Sequence, residues 1–480
     1  ASRCRPNSIV LSRAAVALPR TAAQCDAAMF DWLSAPRAGI LLHVTSLPSS
    51  RLDDDALRWI DFIASAGLSV WQVLPLVIPD TNGSPYQSPS AFAMNPGLLP
   101  ASDAKVNESE FEEYCAAEAA WLEDFALFEV LKQRFRDRTW VHWPDNFRHR
   151  DTASLRRVAL NARLEMTRIK QQQYRLDRAW KRIRQHARDR DVALFGDIPV
   201  FIAHDSADTW SQPQDFLLDD DGQPTHVTGV PPDYFSETGQ RWGNPHYRWE
   251  RMEQEDYAWW IARMARQFEL FDLVRIDHFR GLVAVWMIEA SCDTAIDGYW
   301  EETPGDALLG ALRARFPDLP IVAEDLGIIT EEVRALRRKY GFPGMSVLQF
   351  AFDHFDDNPH KPANITPDTV VYTGTHDNDT CVGWFSRLQP EEKDFVFQVL
   401  GVEPTEDIAR LMIETAMHSR GGLAVAPLQD FLGLGSEARM NTPGVSTGNW
   451  HWQFGWDMLD DGLATRISAM IADSGRLHGR

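Results

Sequence analysis

From residue 39 onward the chain is punctuated by eight short apolar runs, most of them separated by stretches with helical periodicity. The runs are 39–44, 70–75, 193–198, 272–277, 321–325, 345–350, 370–374 and 423–428. A strand that is apolar at nearly every position needs cover on both faces, which a parallel sheet wrapped by helices provides. Eight such strands alternating with helices predict an α/β fold, a closed (β/α)8 barrel of the TIM type. An open doubly wound sheet shares the alternation. It is disfavoured because no Gly-x-Gly-x-x-Gly follows the first run, and polar clusters end many of the runs instead.

The helical stretches carry their own punctuation. Leu57, Ile60 and Ile63 share a face ahead of Gly67, which suits the residue just past a helix end. Thr330 is expected to cap a helix that buries Val333, Leu336 and Tyr340 and stops at Gly341, and Thr405 to cap one carrying Ile408, Leu411, Met412 and Ala416. The interval between the second and third runs is too long for one crossover helix. There, residues 103–190 place Trp121, Leu122, Phe125, Phe128 and Leu131 at helical spacing, so a helical insertion subdomain is expected, with further loop insertions over the active face. Residues 37–480 form the catalytic domain in this reading. Residues 1–36 are an N-terminal extension: its first 25 residues hold Arg3, Arg5, Arg13 and Arg20 and no acid, which fits a targeting segment, an upstream translated stretch or a disordered tail.

Charge narrows the partners. Forty-eight Lys and Arg against 69 Asp and Glu leave a formal net charge of −21, a surface that repels nucleic acid and anionic membranes. No apolar run approaches the ~18 residues of a membrane span. Eighteen Trp and 11% aromatic residues argue against disorder. Cys4, Cys25, Cys115, Cys292 and Cys381 are odd in number and scattered, which points to a reducing compartment and to neither a disulfide framework nor a Cys-based zinc site. The histidines show no Glu-x-x-His or His-x-x-x-His spacing, so no structural metal is expected.

Three strand ends carry acids where a barrel presents its active face. In Leu273-Val-Arg275-Ile-Asp277-His278, alternation puts Arg275 and Asp277 on one side, and a guanidinium beside a carboxylate favours the ionised form a nucleophile needs. Glu324, in Val322-Ala-Glu324-Asp325, follows an apolar stretch, where a drier setting keeps an acid neutral towards neutral pH. The third segment is Thr375-His376-Asp377-Asn378-Asp379. Any one acid of this kind can be a strand-end cap or a buried ion pair; three on the fourth, fifth and seventh runs point to catalysis.

These segments resemble those of the α-amylase-type glycoside hydrolases and, more narrowly, of glycoside hydrolase family 77, the amylomaltases or 4-α-glucanotransferases. The likeness runs from residue 37 to about 455 and includes Gly39-Ile-Leu-Leu-His-Val-Thr-Ser-Leu-Pro48, Ser84-Pro-Tyr-Gln-Ser88, Gly229-Val-Pro-Pro-Asp-Tyr-Phe-Ser236, Arg241-Trp-Gly-Asn-Pro245 and Gly448-Asn-Trp-His-Trp452. It implies Asp277 as nucleophile, Glu324 as acid/base and Asp377 as the residue gripping sugar hydroxyls, with Arg275 and His376 positioning the donor sugar. It further implies substrate contacts from Ser84, Tyr86, Asp233, Gln240, Trp242 and Phe350, and a lid at 229–236. Asn449 and Trp450 are expected to be structural, and Asp325 and Asp379 to act as caps or partners of the catalytic acids. The implied activity is retaining transfer of α-1,4-glucan segments without cofactor or metal, on a malto-oligosaccharide or starch-like substrate. The expected form is a monomer, with a homodimer as the alternative, in the bacterial cytoplasm or, second, a plastid. An α-glucan hydrolase on the same scaffold and a catalytically inert glucan-binding protein are the competing readings. Residues 49–54 and 81–83 depart from the family's usual pattern, which places the acceptor preference in question.

Overall fold

Each of the eight apolar runs forms a strand, and all eight lie parallel: β1 Arg37–Leu41, β2 Val70–Gln72, β3 Ala193–Pro199, β4 Leu273–Asp277, β5 Ile321–Ala323, β6 Gly344–Val347, β7 Thr369–Tyr372 and β8 Leu423–Pro427. The computed structural model describes residues 35–101, 106–232 and 236–477. The N-terminal extension up to residue 34 therefore lies outside the described residues, as do Asp233, Tyr234 and Phe235 of the expected lid.

The strands follow chain order around the sheet, with β8 paired to β1. Between β5 and β6 the seam is held without a ladder. Ala323 donates its amide to Pro343 O (2.9 Å), and the Asp325 carboxylate accepts the amide of Met345 (2.7 Å). The ring is an α/β barrel of the TIM type. Its strands are apolar on both faces because they serve two cores. Leu41, Phe195, Leu273, Val322, Val347, Val370 and Val425 fill the interior, while Ile40, Leu194, Val274, Ile276, Ile321, Val371 and Ala424 meet the surrounding helices.

Local signals explain most helix limits. Helix Asp54–Ser65 buries Trp59, Ile60 and Ile63 and is followed by Gly67 at φ +75°; helix Glu331–Tyr340 begins after Thr330 and ends at Gly341 at φ +72°. One cap differs. Helix Ile408–His418 is capped by Asp407, which accepts the Arg410 amide (3.2 Å), while Thr405 lies two residues back and accepts the amide of Asp407 (3.2 Å).

Between β2 and β3 run the helices Glu108–Ala117, Ala119–Arg134, Asp145–Arg148, Thr152–Asn161 and Arg163–Arg188. Phe125, Phe128, Leu131, Trp143, Leu155, Val158 and Met166 form an apolar cluster of their own with Trp210. The last of these helices serves both regions: its Leu176, Trp180 and Ile183 belong to the barrel's outer layer, and the Trp180 indole donates to Leu270 O (2.8 Å). A second sheet, antiparallel and absent from the sequence reading, comprises Gln240–Pro245, His226–Val230, Ala284–Glu289 and Gly298–Glu302 in that spatial order. Gly229 and Val230, expected in a loop, are thus strand residues; at Gly229 a Cβ would lie 2.1 Å from Gln240 O, so only glycine lets these strands approach. Among the described residues no helix is long and apolar enough to cross a membrane, and no group of three or more His, Cys, Asp and Glu is placed to hold a metal ion.

Beyond helix Leu463–Asp473, Arg476 is 1% exposed and donates to the carbonyls of Arg37 (2.9 Å), Ser419 (2.8 Å), Gly421 (2.8 Å) and Met417. Burial pulls its pKa down to about 10, so it still carries its charge at neutral pH. It ties the approaches to β8 to the start of β1 at the point where the ring closes. Arg476→Leu strands those carbonyls without donors. The expected loss is about 3 kcal/mol or more, read by denaturant unfolding; a change below 1 kcal/mol would show that the clasp is dispensable.

Candidate active site

Because the strands are parallel, their C-terminal ends share one mouth. Asp277 is the last residue of β4, Glu324 follows β5 directly, and Asp377 lies on the loop after β7. Ile276 pairs with Ala323, so Asp277 and Glu324 come next on neighbouring strands. The main chain then holds them together. Glu324 donates its amide to Ile276 O (3.1 Å), and Phe279 donates to Glu324 O (3.1 Å). The Glu324 carboxyl accepts the amides of His278 at Oε2 (2.6 Å) and Leu326 at Oε1 (2.8 Å). His278 sits in the left-handed region at φ +52°, a strain of order 1 kcal/mol for a non-glycine residue, and its amide is the one that reaches Glu324.

One buried cation organises the other side. Arg275 is 5% exposed and donates from Nη2 to Asp277 Oδ1 (2.6 Å) and from Nη1 to both oxygens of Asp197 (2.9 and 2.7 Å). Asp197, on β3, also accepts the Tyr86 hydroxyl (2.7 Å). The Tyr86 ring stacks on His376 with centroids 5.2 Å apart and planes 10° from parallel. His376 Nε2 lies 3.3 Å from Asp377 Oδ1, which also accepts Asn441 Nδ2 (2.6 Å), while Arg439 Nη2 donates to the Asp377 carbonyl (2.6 Å). A continuous path of contacts thus joins Asp277 to Asp377.

The two carboxyls at the centre differ in environment. Burial and the Asp277 charge push Glu324 up to about 7, against the pull of Arg275 and the two amides. Glu324 therefore keeps its proton in about half of the molecules at neutrality, whereas Asp277 is ion-paired and about one-third exposed at its side chain. Burial takes the His278 imidazole down to about 4, so it adds no charge beside them.

Of the remaining expected contacts, Trp242 lies edge-on to His278 (4.8 Å between centroids) and donates its indole N–H to Gln240 Oε1 (3.1 Å). Ser84 Oγ accepts the Tyr86 amide (3.3 Å), fixing the turn that presents the tyrosine. Phe350 stands apart from this network among the described residues. The sixth strand ends at Val347, and Phe350 occupies the following turn, 37% exposed and edge-on to His360. Asp325 closes the β5–β6 seam. Asp379 pairs with Arg387 and accepts the Thr380 amide (2.8 Å) and the Ser436 hydroxyl (2.7 Å). Asp197, Asn441 and Arg439 were missed from the sequence. Asp197 left a readable signal, as a lone acid inside a strand otherwise buried on both faces; the other two lie on a polar loop with no such mark.

A barrel mouth that sets a guanidinium-paired carboxylate beside a carboxyl protonated near neutrality has the equipment of enzymes that break and remake glycosidic bonds. The glycoside hydrolase family 77 profile, described as 4-alpha-glucanotransferase, matches residues 42–106 and 99–457. The chain is 41% identical to a 4-alpha-glucanotransferase of Thermus thermophilus, covering 92% of this chain and 99% of that one, and 40% identical to one of Synechocystis sp., covering 92% and 98%. The solved amylomaltase from Streptococcus agalactiae in complex with acarbose superposes with a TM-score of 0.88 at 29% identity, over 92% of this chain and 100% of that one. The chain belongs to the 4-alpha-glucanotransferase family, glycoside hydrolase family 77.

The Arg275 bridge has a direct test. Lysine offers one point charge where arginine offers a planar fork, and cannot donate to Asp197 and Asp277 in the same geometry. Arg275→Lys is expected to lower kcat/KM by about two orders of magnitude, the usual loss when a reacting group is mispositioned. Steady-state kinetics on maltotriose read it out; a fall of less than threefold would remove the bridge from catalysis.

Proposed function

We propose that the chain transfers α-1,4-glucan segments between malto-oligosaccharides by a retaining double displacement, with Asp277 as nucleophile and Glu324 as acid and then base. The observation that carries this is the contrast between the two neighbouring carboxyls, one paired with Arg275 and one raised to about 7. Asp277 attacks the anomeric carbon while Glu324 protonates the departing oxygen, giving a glucosyl enzyme of inverted configuration. Glu324, now ionised, takes the proton of the acceptor's 4-hydroxyl as that oxygen displaces Asp277, and the second inversion restores the starting configuration. Asp377, held by Asn441 and beside His376, grips hydroxyls of the donor sugar. Tyr86 and Trp242 offer flat faces to the C–H side of glucose, Gln240 and Ser84 offer polar contacts, and Asp233 and Phe350 stand as further substrate contacts on the family likeness alone.

Transfer prevails over hydrolysis when a bound sugar outcompetes water at the glucosyl enzyme. Membership of a transferase family favours that outcome over the hydrolase reading. The working setting is the cytosol of a bacterium and the working form a monomer; the scattered cysteines and the bacterial relatives support the first. Residues 103–190 act as an insertion subdomain in this reading, supported by their separate apolar cluster.

Incubation with pure maltotriose is expected to give glucose together with longer dextrins and no net gain in reducing ends; a rise in reducing ends would establish hydrolysis instead. Asp277→Ala abolishes the ladder, and Glu324→Gln lowers kcat by about 10²–10⁴, the contribution of a positioned acid/base. The sign of the pH effect follows from the raised pKa: the neutral acid is lost as pH rises through about 7, so transfer falls on the alkaline side of that value. In Glu324→Gln that alkaline limb disappears. A limb that persists unchanged in the variant would assign it to another group.

A further inference from the structure

Trp450 has a feature that its expected structural role does not explain. It is a bulky residue in the left-handed region, at φ +68°. Such a conformation is strained for so bulky a residue and persists only where the surroundings hold it. What holds it here is on both sides. Asn449, one residue earlier, accepts the Thr442 amide (2.9 Å) and donates to Val445 O (2.7 Å), and Trp450 itself donates its amide to Met440 O (2.8 Å).

The strained backbone delivers the indole to the two rings that connect the halves of the site. Trp450 lies 6.1 Å from the Tyr86 ring and 5.8 Å from the His376 ring, tilted 41° and 37° to them. It also fills the space beside Gly83, where a Cβ would come within 3.4 Å of Trp450 Cβ, in the turn that presents Tyr86. The same loop supplies Arg439 and Asn441 to Asp377, and Asn441 donates its amide to His376 O (3.1 Å). Tyr86 is anchored at its far end by Asp197, and His376 by its place beside Asp377. Trp450 closes the arrangement from the side those polar bonds leave unconstrained.

We propose that Trp450 is a positioning residue for the transfer reaction: its indole holds the Tyr86–His376 stack so that the imidazole edge meets Asp377. The inference rests on the assignment of His376 and Asp377 to the donor sugar made above. Trp450 acts through His376, so its loss appears mainly in kcat, because the geometry at Asp377 matters most when the sugar is distorted toward the transition state.

The test is a double-mutant cycle on maltotriose with Trp450→Ala and His376→Ala, together with Trp450→Gly and Trp450→Phe. Trp450→Ala is expected to lower kcat about tenfold to a hundredfold with KM changed less than threefold, a misplacement effect. The double variant is expected to be no worse than His376→Ala alone. Trp450→Gly, whose backbone accepts φ +68° without strain, should match or exceed Trp450→Ala in Tm and still show the kcat loss; Trp450→Phe should recover most of the activity. Additive effects in the cycle, a loss confined to KM, or kcat within twofold of the parent in Trp450→Gly would each overturn the proposal. If instead His376→Ala leaves kcat unchanged while the parent still yields the dextrin ladder, the donor-site assignment is what has failed.

Discussion

The site is arranged around a single guanidinium that has been taken out of water. A lone Arg275 at 5% exposure would destabilise the barrel, because the interior screens its charge poorly. Asp197 on the neighbouring strand satisfies it, and Asp277, two residues along its own strand, completes the second arm. This leaves two carboxylates against one cation at the mouth of the ring. Burial, with the Asp277 charge added to it, makes Glu324 the group that retains a proton there. The contrast between the two neighbouring carboxyls thus comes first from the burial of Glu324 and second from the charges gathered around one buried cation.

Glu324 and the closure of the barrel depend on one short stretch of chain. The Glu324 carboxyl receives one amide, that of His278, from the loop after β4, while Asp325, the next residue, uses its carboxylate to bind Met345 across the β5–β6 seam. A Cβ at Gly344 would meet that carboxylate at 2.5 Å, so the seam requires glycine at the start of β6. Two consecutive acids have opposite duties, one facing the mouth and one holding the wall.

The barrel was legible because its strands obey a simple rule: buried on both faces, they read as apolar runs, and every one of the eight runs became a strand. The acids at strand ends were legible for a related reason, since polar residues following such a run have few places to be but the rim. Other features left weaker traces. The antiparallel sheet is built from segments such as Gly298–Glu302, mostly exposed, and Gln240–Pro245, with polar residues on both faces, which carry no clean alternation. Asn441 and Arg439 reach Asp377 only through tertiary folding of a loop more than sixty residues downstream. Thr405 carries a hydroxyl suited to capping, but Asp407, next to the first turn, makes the bond.

The Arg476 clasp bears on how the molecule is made. The strands that meet at the β8–β1 junction are the first and last of the ring, and the side chain that fastens them lies further along still. On a ribosome, β1 emerges early and must wait, one edge unpaired, until nearly all the described chain has been synthesised. An unpaired edge is an invitation to intermolecular pairing, and contacts between distant parts of a chain form slowly. The nascent chain is accordingly most exposed to aggregation in the interval before β8 and Arg476 have been released.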